Sequence, residues 1–170
     1  MPNLEASRLP IWVTSCETLK AQEEMVIATD QNENCILHPL GTKYKVYYKD
    51  ECHSLNERSI LMLGRTTSVR LECDGKGAGE CILLRYSHAY TPPLVDLNRI
   101  CTAISLVDSF YGRKGRFCII HDNDYFYMTL GELQQELHSS SPERDIMIKH
   151  LIYVLLIKLA RSFHEHRQST

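Results

Sequence analysis

Side chains able to carry chemistry are plentiful in this 170-residue chain but poorly grouped. Its histidines, His38, His53, His88 and His121 among them, stand singly: no HxH or HxxxH pair occurs in the first 121 residues, and His164 and His166 form an HxH only in the polar tail. Metal centres draw on imidazoles and thiolates held at short, regular spacing, so no bound metal and no cofactor is expected. The seven cysteines, Cys16, Cys35, Cys52, Cys73, Cys81, Cys101 and Cys118, are odd in number, irregularly spaced and without a CxxC pair. That pattern suits neither structural zinc nor a disulfide framework, and it predicts reduced thiols in a cytoplasmic protein. Cys52 and His53 are neighbours, but neighbours on a strand point to opposite faces, so they make no nucleophile and base pair. There is no GxSxG elbow. The run Gly75-Lys76-Gly77-Ala78-Gly79 has the glycines of a phosphate cradle without its Lys-Ser/Thr or its following helix, and reads as a flexible connection. Nothing here gives a reason to assign catalysis, and a non-enzyme is expected.

The elements that would position these residues change character along the chain. In the first half, residues 35–40 form an apolar run stopped by Pro39 and Gly41. Residues 42–48 alternate, with Tyr44, Val46 and Tyr48 on one face and Lys43, Lys45 and Tyr47 on the other, which predicts a half-buried antiparallel strand. A turn at 49–51 leads to the apolar strand 60–63 and then to 68–73, where Val69, Leu71 and Cys73 share a face. Residues 74–79 read as a glycine-rich hairpin connection to a strand over 81–90. Such spacing predicts a small all-β barrel or sandwich. Thr91-Pro92-Pro93 ends it, since the prolines supply no ladder donors. Leu94, Leu97, Ile104 and Val107 recur at helical spacing, 112–115 is a basic turn, and 117–120 is a last short strand.

From Asp122 onward the period becomes helical. Phe126, Leu130, Leu133 and Leu137 make one amphipathic stripe; Asp122 as N-cap starts the longer helix that is expected, whereas Thr129 with Glu132 as a capping box would start a shorter one. Ser141 as N-cap, Pro142 at the first helical position and Glu143 in the first turn open a second helix. Twelve of the fifteen residues from 146 to 160 are apolar. Lys149, His150 and Lys158 interrupt them, so no membrane span is expected. Such a helix is either sunk in one large core or packs on its own domain with one face and on a partner with the other, and in a small, mostly β domain the second is expected. The tail from Arg161 reads as polar and without a further element.

Composition bounds the function classes. With 44% hydrophobic and 24% charged residues the chain is a globular domain, not a disordered one. Nineteen Lys+Arg against twenty-one Asp+Glu leave a formal charge of −2. This segment therefore lacks the basic excess of a domain that grips nucleic acid. The first ten residues have no apolar run and are no signal peptide.

Strands followed by two antiparallel helices, with Glu132-Leu133-Gln134-Gln135-Glu136-Leu137 in the first and Leu151-Ile152-Tyr153-Val154-Leu155-Leu156-Ile157-Lys158-Leu159-Ala160-Arg161 in the second, resemble the N-terminal regulatory domain of AraC-family bacterial transcriptional regulators. Upstream, residues 44–63 resemble the family's barrel strands, with Glu57-Arg58-Ser59 where a Gly-Asp pair is usual. The resemblance implies an α+β, mainly β fold: a cupin-like barrel with an N-terminal arm over 1–121 and a helical dimerisation hairpin over 122–170. It implies a cytoplasmic effector-sensing domain with a small-molecule ligand, a homodimer through the helix over 143–163, and DNA contacts made only by a helix-turn-helix domain beyond residue 170. Parity groups His38 with Ile36, Tyr44 with Val46, and Tyr86 and His88 with Ile82 and Leu84, so these polar tips are expected to line the barrel interior. Trp12 is expected to fold over its mouth as the family's arm does. Leu151, Leu155 and Lys158 are expected at the dimer seam. Two other readings compete: a stand-alone cupin-type enzyme, which stoichiometric metal would favour, and an oligomerisation module with a filled barrel.

Overall fold

Segments that alternate polar and apolar residues and segments that are apolar throughout sort into two different sheets. The computed structural model describes residues 11–20, 23–75, 79–88, 117–120 and 124–168. In these, the strands are β1 (Ile11–Lys20), β2 (Glu24–Ala28), β3 (Asn34–Leu40), β4 (Tyr44–Tyr48), β5 (Glu51–Leu55), β6 (Ile60–Leu63), β7 (Ser68–Cys73), β8 (Glu80–His88) and β9 (Phe117–Ile120), followed by helices α1 (Asp124–Leu137) and α2 (Arg144–Gln168). The five-stranded sheet runs β1-β8-β3-β6-β9 and the four-stranded sheet β2-β7-β4-β5. Strand β1 pairs with β8, β2 with β7, β3 with β6 and β4 with β5, all antiparallel. The chain is thus one long hairpin folded over on itself, the double-sheet jelly roll that cupins share. The expected mainly β fold with a C-terminal helical hairpin is present, as a two-sheet sandwich.

The four-stranded sheet has one wet face, so its strands alternate. On β4, Tyr44 and Val46 are buried and Lys45 is exposed; on β7, Val69 and Leu71 are buried and Ser68 is exposed. The five-stranded sheet is covered on both faces, so its central strands are apolar throughout. All four residues of β6 are buried. One face of β3, β6 and β8, with Leu37, Leu61 and Leu83, meets Tyr44, Val46 and Leu71 in the sandwich interior. The opposite face, with Ile36, Met62 and Leu84, meets Phe126, Leu130, Leu133, Leu155 and Leu159 of the helices. One sheet is therefore the common wall of two cores.

Three local expectations are corrected. Residues 74–79 do not connect a hairpin: β7 pairs with β2 and β4, whereas β8 pairs with β1 and β3, so the segment crosses between sheets. Alternation looks the same whether or not a strand pairs with its neighbour in sequence. A close approach explains the glycine at its end, since a Cβ on Gly79 would lie 2.3 Å from Thr42 Cβ. Trp12 is not on a free arm: it sits in edge strand β1 opposite Ser87, and is 53% exposed. The second helix does not stop at 163 but runs to Gln168, there being no Gly or Pro after Arg161 to end it. The expected helix around Leu94 to Val107, the prolines 92–93, the turn at 112–115, Cys101, His121 and the Asp122 cap lie outside the described residues.

The hairpin is held by its apolar stripe and by the turn that joins its helices. Phe126, Leu130 and Leu133 are fully buried at i, i+4 and i+7. Ser141 Oγ accepts the Glu143 N–H at 3.3 Å, and the Ser141 carbonyl accepts the Arg144 N–H at 3.1 Å, a turn just ahead of α2, which begins at Arg144 and not at Pro142 as expected. Arg144 Nε reaches back to the Glu136 carbonyl at 3.2 Å and fixes the connection.

Candidate functional site

The fold divides the expected ligand residues between two environments. Tyr44 points into the sandwich interior, is 1% exposed, and its hydroxyl has no regular hydrogen-bond partner. Burial raises its pKa, with the Cys81 thiol adding through its charge and a weak hydrogen bond and Cys73 through its charge, so the hydroxyl stays protonated with a thiol as its available partner. Thr42 Oγ1 lies 3.3 Å from Cys73 Sγ beside it. Burial pushes the thiols of Cys35 to about 12 and Cys81 to about 11, which makes them inert packing groups at neutral pH. The surrounding Leu37, Val46, Leu55, Leu61, Leu63 and Leu71 expose no surface at all. The interior is filled by its own side chains, and a molecule entering it has to displace some of them.

His38 and Tyr86 lie on the other side of the wall. Both are buried, at 4% and 2% exposure. His38 shares its face with Ile36, and Tyr86 with Ile82 and Leu84, as parity predicts, but that face is the one under the helices. The His38 ring stands 6.0 Å from the ring of Tyr127 on α1. His88 pairs through its backbone with Ile11 at the end of β8, and its side chain lies outside the described set. Tyr44, His38 with Tyr86, and Trp12 thus occupy an interior, a helix-covered face and an exposed edge, and no one cavity gathers them. The signal that separates the faces is the pair of apolar runs at 60–63 and 81–84, which have no wet side.

A buried hydroxyl left without a regular hydrogen bond costs about 1–3 kcal/mol. Tyr44→Phe is therefore expected to raise folding stability by about 1 kcal/mol, read as a higher urea midpoint at unchanged m-value. A lower midpoint would mean that the hydroxyl is satisfied. Among the described residues no group of three or more His, Cys, Asp or Glu could hold a metal ion.

The helical site is also redistributed. Leu151 and Leu155 are 6% and 0% exposed and belong to the chain's own core, not to a free face. Lys158 Nζ donates to Thr129 Oγ1 at 2.8 Å and ties α2 to α1. What α2 leaves outward is a different stripe: Met147, His150 and Arg161 exposed, Val154 and Ile157 half-buried. These positions are spaced 3, 4, 3 and 4 apart, the spacing of a coiled-coil seam. Among the described residues no helix is long and apolar enough to cross a membrane.

No protein-family model matches the sequence, and no curated protein does. Solved structures match its fold. Apo ToxT K231A from Vibrio cholerae superimposes with a TM-score of 0.59 at 10% identity, over 88% of this chain and 56% of that one. Wild-type ToxT from Vibrio cholerae with an unsaturated fatty acid bound gives 0.54 at 10% identity, over 88% and 53%. A weaker likeness, 0.46 at 8% identity over 83% and 51%, is to the AraC-like transcriptional activator CuxR. At 10% identity the likeness to ToxT is one of fold. The chain spans about half the length of these structures.

Proposed function

We propose that this chain is the effector-sensing and dimerising part of an AraC-type transcriptional regulator, a jelly-roll unit over 1–121 coupled to a helical hairpin over 122–170, with DNA contacts made by another domain. The observation that carries this reading is the shared wall. Strands β3, β6 and β8 pack with one face against the sandwich interior and with the other against α1 and α2. A molecule that displaces interior side chains moves that wall, and the wall carries the helix whose outward stripe meets a second copy. The net charge of −2 agrees with DNA being held elsewhere. The effector is a small molecule taken up by one conformation better than another, which shifts the population between them.

A thermal-shift screen with sugars, aromatic acids and fatty acids tests this. Fatty acids earn a place because one is bound in ToxT. An effector at about a hundred times its Kd should stabilise the fold by about 2.7 kcal/mol, a rise in Tm of several degrees. If the ligand enters beside Tyr44, the rise should shrink in Tyr44→Phe. No shift with any compound, together with concentration-dependent association, would favour the second reading, an oligomerisation module. The fully covered side chains of the interior are the observation on that side.

A further inference from the structure

His38, expected to line the sandwich interior, is instead a titratable group in the contact between the sheet and the helical hairpin. It sits midway along β3 opposite Ile82 of β8. Its Nδ1–H donates to the carbonyl of Ser59, itself buried in the turn before β6, at 3.1 Å. With Nδ1 committed to an acceptor, the neutral ring keeps its lone pair on Nε2, and a second proton must go there. Above the ring lies Tyr127 of α1, tilted by 48°.

Among the described residues, the groups that face this core offer no negative charge to receive an imidazolium. Strand β8 contributes Tyr86, β1 contributes Cys16, β9 contributes Cys118, and α2 contributes Tyr153, with Lys158 bound to Thr129 of α1. Among the described residues no carboxylate acts on the ring: burial lowers its pKa and the Ser59 hydrogen bond only partly offsets that. Protonation would therefore place an uncompensated cation beneath α1. Among the described residues the buried histidine is His38; His53, whose ring lies 5.0 Å from that of Phe117 at the edge of the sandwich interior, is half-buried and bonded to Glu51.

We propose that His38 makes the seat of α1 on the five-stranded sheet acid-labile, so that mild acid loosens the helical hairpin while the sandwich stays packed. The direction follows from linkage. A histidine whose folded pKa lies below its unfolded value of about 6.5 contributes stability at higher pH, and that stability is lost as pH falls from there through the folded pKa. His138 lies in the turn just past α1, is exposed, and donates to the Gln134 carbonyl at 2.8 Å. The device would let proton uptake act on the same wall that an effector moves, but it stands without any effector.

Native-state hydrogen exchange on the full chain, corrected for intrinsic rates, at about pH 7.5 and about pH 5.5 brackets the ordinary histidine value. Protection of α1 amides is expected to fall several-fold more than that of β4 and β7 amides in the wild type, with about tenfold as the ceiling that one histidine of unfolded value about 6.5 sets over this interval. In His38→Gln, whose amide can still donate to Ser59 but does not titrate, this selective fall should vanish. Equal loss in both cores, no loss in α1, or a selective fall that survives in His38→Gln would overturn the proposal. Should His38→Gln fail to fold, NMR titration of the wild-type His38 ring decides: its midpoint must coincide with the shift of Tyr127 and α1 signals. Titration that leaves those signals unmoved refutes it.

Discussion

Leu155→Ala is expected to lower folding stability by about 2–5 kcal/mol, the range for emptying a fully buried leucine site. Leu155 exposes no surface and lies in the core that joins α2 to β3, β6 and β8. Its neighbours in that core include Phe126, Leu130 and Leu133 of α1, all fully buried, so little can collapse into the space left. Urea unfolding followed by circular dichroism reads the effect as a large drop in midpoint. The same variant should associate as the wild type does at denaturant-free concentrations where it is folded, because its side chain faces inward. A stability change below about 0.5 kcal/mol, the level of ordinary surface substitutions, would mean that α2 is not seated as described.

How α2 is seated could not be read from its composition. Twelve apolar residues in fifteen say that nearly all sides are covered, but not which side is covered by the same chain. Leu151 and Leu155 look like a seam when the helix is considered alone, and only the position of α1 and the sheet turns them inward. The same ambiguity governs His38 and Tyr86. Parity correctly places each with its apolar neighbours, yet both faces of β3 and β8 are dry, so period alone cannot say which face is the sandwich interior. Where one face is wet, as on β4 and β7, alternation identifies Tyr44 as an interior residue without further help.

Edge strands were the other blind spot, for a related reason. In β5 only Leu55 is fully buried, so between the turn at 49–51 and the apolar run at 60–63 no apolar pattern marks a strand. In β1 the register shifts between Val13 and Ser15, and this bulge breaks the alternation that would have marked a ten-residue strand. Trp12 consequently looks like a free arm. The jelly-roll order itself depends on pairings between residues far apart in sequence, such as Cys35 with Arg85 and Val26 with Arg70, and no local pattern encodes them.

If two copies pair through the outward stripe of α2, as proposed, Ile157→Lys is expected to weaken that association about 100-fold or more in Kd, equivalent to about 2.7 kcal/mol. Val154 and Ile157 are the half-buried centre of the outward stripe that begins at Met147 and ends at Arg161. In a symmetric pairing of two α2 helices such residues meet their own copies, so one substitution places two lysines in one interface. The monomer should tolerate it, because a long side chain on a half-exposed position can lay its stem along the helix and leave the ammonium in water. Sedimentation equilibrium over a concentration series separates association from folding, and urea unfolding of the same sample checks that the fold is kept. Leu155→Ala and Ile157→Lys thus form a pair with opposite signatures, one lowering stability at constant association and the other lowering association at constant stability. If both variants and the wild type sediment as monomers at high micromolar concentration, the outward stripe of α2 is not a dimer seam. If Ile157→Lys remains dimeric and folded while the wild type is dimeric, the copies meet through another surface.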